Sequence, residues 1–241
     1  MTVVSKNCLI IKGDNKKKEL KENGYAIARQ LIGSQEIERL KDEIAQNLPL
    51  SSTHGTRNLS NKLKSLDEIV NSSCINKFLS TYFESQNFQL VRMLYFNKTK
   101  QANWGVPWHQ DKTIAVRERI EFTGFTAWSI KQGVVHVQPP LEVMKNILTV
   151  RVHLDAATEE NGALRVIPGS HQLGILTQSQ IEPIKNNLVS IACRVNAGDV
   201  TFMSPLLLHS SRKATKPSDR RTIHLEYFSG LLPNHLIFYY K

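Results

Sequence analysis

The chain has 241 residues, 41% of them hydrophobic, and a formal charge of +10. That length and apolar content suffice for one large domain with a substantial core, and a single domain over residues 1–241 is expected. No apolar run reaches the ~18 residues of a membrane-spanning helix, and the lysine-rich start contains no secretory hydrophobic segment, so a cytosolic protein is expected.

Taken in chain order, residues 1–20 read as a loose leader. Tyr25-Ala26-Ile27-Ala28 reads as a short strand. A helix is expected to start at Gly33-Ser34 with Ser34 as its N-cap, carry Ile37, Leu40, Ile44 and Leu48 at helical spacing, and end at Pro49. A second helix is expected over residues 66–82. Strand texture begins at Gln89, and residues 112–145 read as a long irregular segment, the kind that often forms a binding or active-site loop. Residues 148–155 alternate Leu148, Val150, Val152 and Leu154 with Thr149, Arg151, His153 and Asp155. Short strands follow at residues 163–167, 189–195 and 200–203. Residues 220–228 alternate again, with Ile223, Leu225 and Tyr227 on one face and Arg220, Thr222, His224 and Glu226 on the other. Helices first and short strands afterwards predict a mostly β jelly roll with flanking helices.

The three cysteines, Cys8, Cys74 and Cys193, form neither a disulfide framework nor a Cys-x-x-Cys zinc motif, and reduced thiols fit the cytosol. The positive charge is dispersed. Its densest clusters, Lys16-Lys17-Lys18 and residues 212–221, lack the interleaved aromatic residues of single-strand binders. That argues against nucleic acid as a partner and for a solvated basic surface, which also favours anionic substrates.

The chemistry concentrates in Trp108-His109-Gln110-Asp111 and in His209, one hundred residues later. On a strand, positions i and i+2 share a face, so His109 and Asp111 converge. A distant histidine closes the triangle. Two imidazoles and one carboxylate on one side of an ion, with the other side open, form the ligand set of non-heme Fe(II) oxygenases. Trp104, Trp108 and Trp128 fall close together in sequence and suit a walled pocket. Of the adjacent Arg220 and Arg221, Arg220 shares the polar face with Thr222 and His224, while Arg221 is in register with Ile223.

Three blocks carry a resemblance: Trp108-His109-Gln110-Asp111, Glu160-Asn161-Gly162-Ala163-Leu164-Arg165-Val166-Ile167-Pro168-Gly169-Ser170-His171, and Gly198-Asp199-Val200 through His209-Ser210-Ser211. They resemble the phytanoyl-CoA dioxygenase family of Fe(II)- and 2-oxoglutarate-dependent oxygenases. The resemblance implies a double-stranded β-helix, a cupin-like jelly-roll barrel. It implies Fe(II) held by His109, Asp111 and His209, with 2-oxoglutarate and O2 as cosubstrates. Arg220 lies at the family's offset for the residue that anchors the far carboxylate, Ser211 and Thr149 match hydroxyl positions beside the cosubstrate, and Trp128 matches an aromatic wall above the metal. Arg57, His136 and Gln138 are candidates to face a small-molecule substrate. Related halogenases lack the carboxylate, so Asp111 implies hydroxylation or a related oxidation. Two other readings stay open at this point: a non-catalytic jelly-roll module that binds a small metabolite, and a nucleic-acid demethylase on the same fold.

Overall fold

The structure is a computed structural model that describes residues 13–48, 56–57, 59, 63–233 and 235–240. Its elements in chain order are α1 (Gly13–Asn23), β1 (Tyr25–Ala28), α2 (Ser34–Asn47), β2 (Thr56–Arg57), α3 (Lys64–Val70), α4 (Ser73–Phe83), β3 (Gln89–Lys98), β4 (Val106–His109), β5 (Ile114–Val116), β6 (Thr126–Lys131), β7 (Val134–Gln138), α5 (Leu141–Lys145), β8 (Ile147–His153), β9 (Leu164–Val166), α6 (Gln178–Asn187), β10 (Ile191–Ala192), β11 (Val200–Met203), β12 (His209–Ser211) and β13 (Arg220–Phe228).

The strands form a six-stranded sheet in the order β1-β11-β8-β13-β3-β2 and a four-stranded sheet in the order β10-β9-β12-β4. These antiparallel sheets are the two walls of a jelly-roll barrel, and both line one internal cavity. A separate three-stranded sheet, β5-β7-β6, packs against one end. No helix among the described residues is long and apolar enough to cross a membrane.

Period-2 patterning decides which face of the large sheet is which. Val150 and Val152 of β8, Val200 and Phe202 of β11, and Ile223 and Leu225 of β13 all point outward into the main core. There they meet Ile37, Leu40 and Ile44 of α2 and Ile75, Phe78 and Leu79 of α4. Phe78 stacks on Phe202 with ring centroids 3.8 Å apart. Burying each such side chain contributes about 1.5–3 kcal/mol. Most of the opposite residues of the same strands point into the barrel and are polar, among them Thr149, Arg151, His153, Thr201, His224 and Glu226, with Ile147, Met203 and Phe228 as the apolar ones.

Several expectations are corrected. The leader gives way to α1 from Gly13 onward; Leu20 is buried in the core, and the pairs Lys16–Glu19 and Lys17–Glu84 hold the helix. Residues 1–12 lie outside the described residues. The cap of α2 is Gly33, whose N–H donates to Glu36, and Ser34 is already helical. The helix expected over residues 66–82 breaks into α3 and α4, because the Ser72 hydroxyl accepts from Ile75 N–H and starts a new helix. The strand expected over residues 189–195 shrinks to β10, and Val189 is 81% exposed.

The largest correction concerns residues 112–145, which are ordered as β5, β6, β7 and α5 rather than an irregular loop. β6 and β7 form a hairpin through Gln132-Gly133, both at positive φ as a two-residue turn requires. β6 has no fully buried residue, so its alternation is faint in the sequence.

Candidate metal centre

β4 and β12 run antiparallel with His109 directly opposite His209. Their imidazole centroids are 4.2 Å apart. Asp111 lies just beyond the end of β4, so the i, i+2 argument holds only in part. A side-chain anchor does the rest. Gln110 is buried; its amide donates to Gly174 O (2.8 Å) and Leu206 O (2.7 Å) and accepts from Leu176 N–H (2.8 Å). The Asp111 N–H donates to Pro205 O at 2.9 Å. Between them these bonds fix the backbone that carries His109 and Asp111. On the other strand, the Ser170 hydroxyl accepts from Leu208 N–H and donates to Ile167 O, which pins the residue before His209.

His109 Nε2 is 3.8 Å from one Asp111 oxygen and His209 Nε2 is 3.5 Å from the other. Both Nδ1 atoms lie 2.8 Å from backbone carbonyls, of Pro107 and Leu207 respectively. Each Nδ1 therefore carries the proton and donates it, which leaves both Nε2 lone pairs turned towards the carboxylate. The ligand atoms of His109, Asp111 and His209 all lie within 4.8 Å of one another, a grouping that could hold one metal ion. Burial lowers His209 to about 4, against the opposing pull of Asp111. Burial pushes the Asp111 carboxyl up, but His209, His224, His109 and Arg92 together outweigh it and hold the group ionised well below the usual carboxylate range.

A second cluster, Asp111, His224 and Glu226, also brings ligand atoms within 4.8 Å of one another. It is a poorer site. His224 Nδ1 faces an Arg151 nitrogen at 3.1 Å, and its Nε2 faces Glu226 Oε1 at 3.1 Å, so neither nitrogen has a free lone pair aimed at an ion. Glu226 is also held by Arg92 at 3.0 Å.

The triad opens into a cavity of about 340 Å³ lined by Phe96, Trp104, Leu164, Arg151, Ser211 and Arg220 among others. Arg220 is buried and its Nε has no acceptor among the described residues. Burial, then the neighbouring Arg151, lowers it to about 10. A buried guanidinium without a counter-ion is costly, and a dianion such as 2-oxoglutarate fits it. Arg221, the rival, instead grips Asp155 with two 2.8 Å hydrogen bonds on the outer side.

The other expected residues are scattered. Ser211 lines the cavity, yet its one proton goes to Gly162 O (2.8 Å), while its oxygen accepts from Lys98 Nζ (2.9 Å). Gly162 has to be glycine: a Cβ there would come within 2.6 Å of Arg212 O and 2.9 Å of Lys98 Nζ. Thr149 faces inward but pairs with Glu226, six residues from Arg220 on β13. That is about 20 Å at ~3.3 Å per residue, so Thr149 does not share the far-carboxylate end with Ser211 and Arg220. Trp128 packs in the end cluster with Arg119 over its ring, outside the cavity lining. His136 and Gln138 lie on β7 of the end sheet and are not among the lining residues either. Of the three tryptophans only Trp104 lines the cavity; Trp108 packs against Ile167, Leu176 and Leu208. Arg57 pairs through its backbone with Leu94, a lining residue, and its side chain lies outside the described residues. Sequence reading missed Lys98. Its signal was weak: a lysine at the end of an apolar strand, opposite Arg220 only once the pairing is known.

Fold and site define a jelly-roll protein with a two-histidine, one-carboxylate centre. Residues 20–222 match the phytanoyl-CoA dioxygenase family, and the chain belongs to that family. A methylphosphonate hydroxylase of Gimesia maris is 31% identical over 93 residues; the match spans 37% of this chain and 36% of that protein, about a third of its length. Among solved structures, AviO1 from Streptomyces viridochromogenes superposes with a TM-score of 0.67 at 19% identity, over 92% of this chain and 97% of that one. The epimerase SnoN of nogalamycin biosynthesis, solved with Fe3+, 2-oxoglutarate (α-ketoglutarate) and nogalamycin RO, gives a TM-score of 0.69 at 15% identity over 90% and 83%. These likenesses establish the double-stranded β-helix that the sequence led us to expect.

Proposed function

We propose that the protein is an Fe(II)- and 2-oxoglutarate-dependent oxygenase that hydroxylates a small-molecule metabolite, with release of succinate and CO2. One observation carries this reading: His109 and His209 stand opposite each other with their Nε2 atoms on the Asp111 carboxylate, in the same cavity as an unpaired buried Arg220. The hydroxylase relative in Gimesia maris supports hydroxylation over epimerisation. A cytosolic location goes with it, since Cys74 and Cys193 are both buried free thiols.

His109 Nε2, Asp111 and His209 Nε2 would hold the metal. Bound Fe(II) supplies the redox chemistry that couples decarboxylation of 2-oxoglutarate by O2 to oxidation of a substrate C–H bond. The chain supplies geometry and charge. Asp111 stays anionic, and the Nδ1 protons donated to backbone carbonyls fix both imidazoles with Nε2 turned towards the metal position. Arg220 receives the far carboxylate through its planar fork. Lys98 holds the Ser211 hydroxyl in place beside it. Leu94, Phe96 and Leu164 give the cavity apolar walls that exclude water around the reacting carbon.

Nucleic acid is no part of this reading: Lys16, Lys17 and Lys18 are engaged by Glu19, Glu84 and Glu22. The test is anaerobic titration with Fe(II) and 2-oxoglutarate, followed by succinate assay in air. A weak visible charge-transfer band and Fe(II)-dependent succinate are expected. No band would leave a non-catalytic binding module; turnover that survives joint replacement of His109, Asp111 and His209 would place the chemistry elsewhere.

A further inference from the structure

The cavity is more positive than one dianion requires. Arg151 projects inward from β8, is 7% exposed and lines the cavity beside the triad. Its guanidinium sits 5.8 Å from the Phe96 ring centroid and 3.1 Å from His224 Nδ1, to which it donates. Because Nδ1 accepts, the His224 proton is on Nε2, which donates to Glu226 Oε1. The same oxygen accepts from Arg92. Arg92 therefore answers the charge of Glu226, the imidazole between is neutral, and Arg151 is left with an uncharged partner. Its Nε has no acceptor among the described residues.

The same holds for its neighbours. Among the described residues no carboxylate forms an ion pair with Arg151, Arg220 or Lys98, whereas Arg92 and Arg221 each have one. The remaining residues of the chain include no Asp or Glu. Counted over the lining charges Arg151, Arg220 and Asp111, a divalent ion and one 2-oxoglutarate dianion, one positive charge is left over, and Lys98, hydrogen-bonded to the lining residue Ser211, adds a second. Buried charge without a partner is strongly disfavoured, so the filled cavity calls for a second anion. The two arginines also stand on different rows: the backbone of Arg151 is in register with His224, four residues along β13 from Arg220, about 13 Å of strand at ~3.3 Å per residue, and their charged ends are near enough for Arg151 to lower Arg220. Arg220 serves the Ser211 end; Arg151 lies at the triad, with Asp111 as the acid that most favours its charge.

We infer that Arg151 is a second oxyanion site in this cavity, and that the primary substrate is a small organic anion (a phosphonate, phosphate or carboxylate) which this guanidinium orients with its reacting carbon towards the triad. The inference rests on the oxygenase reading for the place of 2-oxoglutarate. Arg151 would be a substrate-binding and specificity-determining residue, distinct from the cosubstrate anchor. The part of the substrate held beside 2-oxoglutarate in a cavity of about 340 Å³ must be small.

Calorimetric titration of inorganic phosphate into protein saturated with Ni(II) and 2-oxoglutarate tests this, with acetate as a parallel probe to rank a phosphoryl group against a carboxylate. Phosphate should bind without displacing 2-oxoglutarate. Arg151→Met should weaken it by roughly 10- to 100-fold, the range of a lost charged hydrogen bond, while Arg151→Lys restores part and both variants keep wild-type affinity for 2-oxoglutarate. Phosphate that competes with 2-oxoglutarate, or a parallel loss of 2-oxoglutarate affinity in Arg151→Met, would assign Arg151 to the cosubstrate and overturn the inference. So would phosphate binding unchanged by the substitution, or no binding of either anion probe. Failure of 2-oxoglutarate itself to bind would sink the oxygenase reading instead; phosphate titrated into the Ni(II) protein alone, wild type against Arg151→Met, then still decides the role of Arg151.

Discussion

The outward and inward faces of β13 come from alternate residues of one strand, yet they do opposite work. Outward, Ile223, Leu225 and Tyr227 join the core beneath the helices. Inward, Arg220, Thr222, His224 and Glu226 are just as deeply buried but polar. The outward face lowers the free energy of the fold by removing apolar area from water. The inward face raises it, since every buried charge there must be matched by a partner, an ion or a ligand. A sheet that carries its cost on one side and its stability on the other can hold a reactive site without surrendering its shape.

The two faces differ most at the triad. Asp111→Ala should lower Fe(II)-dependent succinate formation by at least about 100-fold, since even outer partners of metal ligands cost 10–100-fold, while circular dichroism shows an intact fold. A variant that unfolds, or one that keeps turnover, would show that the inner face is structural after all. Next in size is the outer face. Phe202→Ala, which removes the ring stacked on Phe78, should cost about 3–5 kcal/mol in denaturant unfolding and leave turnover per folded molecule unchanged. Adjacent positions sharpen the contrast further. Arg220→Met should raise the half-saturating 2-oxoglutarate concentration roughly 10- to 100-fold, whereas Arg221→Met, which removes only the outer grip on Asp155, should not move it. Equal effects of the two would refute the assignment by face.

The smallest expected effect is a pH dependence. Burial, and then Arg220, lowers Lys98 to about 8. Its folded value lies below the unfolded value of ~10.4, so the group's contribution to stability rises as pH climbs from about 8 to 10. Loss of its charge over the same range weakens the attraction for a dianion beside Arg220. Affinity for 2-oxoglutarate should therefore fall through pH 8 in the wild type and flatten in Lys98→Met. An identical profile in both proteins would remove Lys98 from the anion site.

How far the sequence could be read varies by region, for physical reasons. The strands of the large sheet were legible because one face is apolar and the other polar, which prints a period of two on residues 148–155 and 220–228. The same parity separated Arg220 from Arg221. The three-stranded end sheet was illegible because β6 buries little, and Trp128, His136 and Gln138 stand on that sheet, outside the residues that line the cavity.

By itself, the sequence determined which side chains could serve as ligands, since His109, Asp111 and His209 are chemically suited wherever they stand, and their flanking blocks mark the family. It also determined the faces of the long strands, because side-chain alternation is local. Tertiary structure alone decided what those side chains meet. The register of β12 against β4 brought the imidazoles together, and that of β13 against β8 set Arg151 beside a neutral His224 rather than a carboxylate. Partners come from strands far apart in the chain, and whether a buried charge is answered depends on that pairing, which no local pattern encodes.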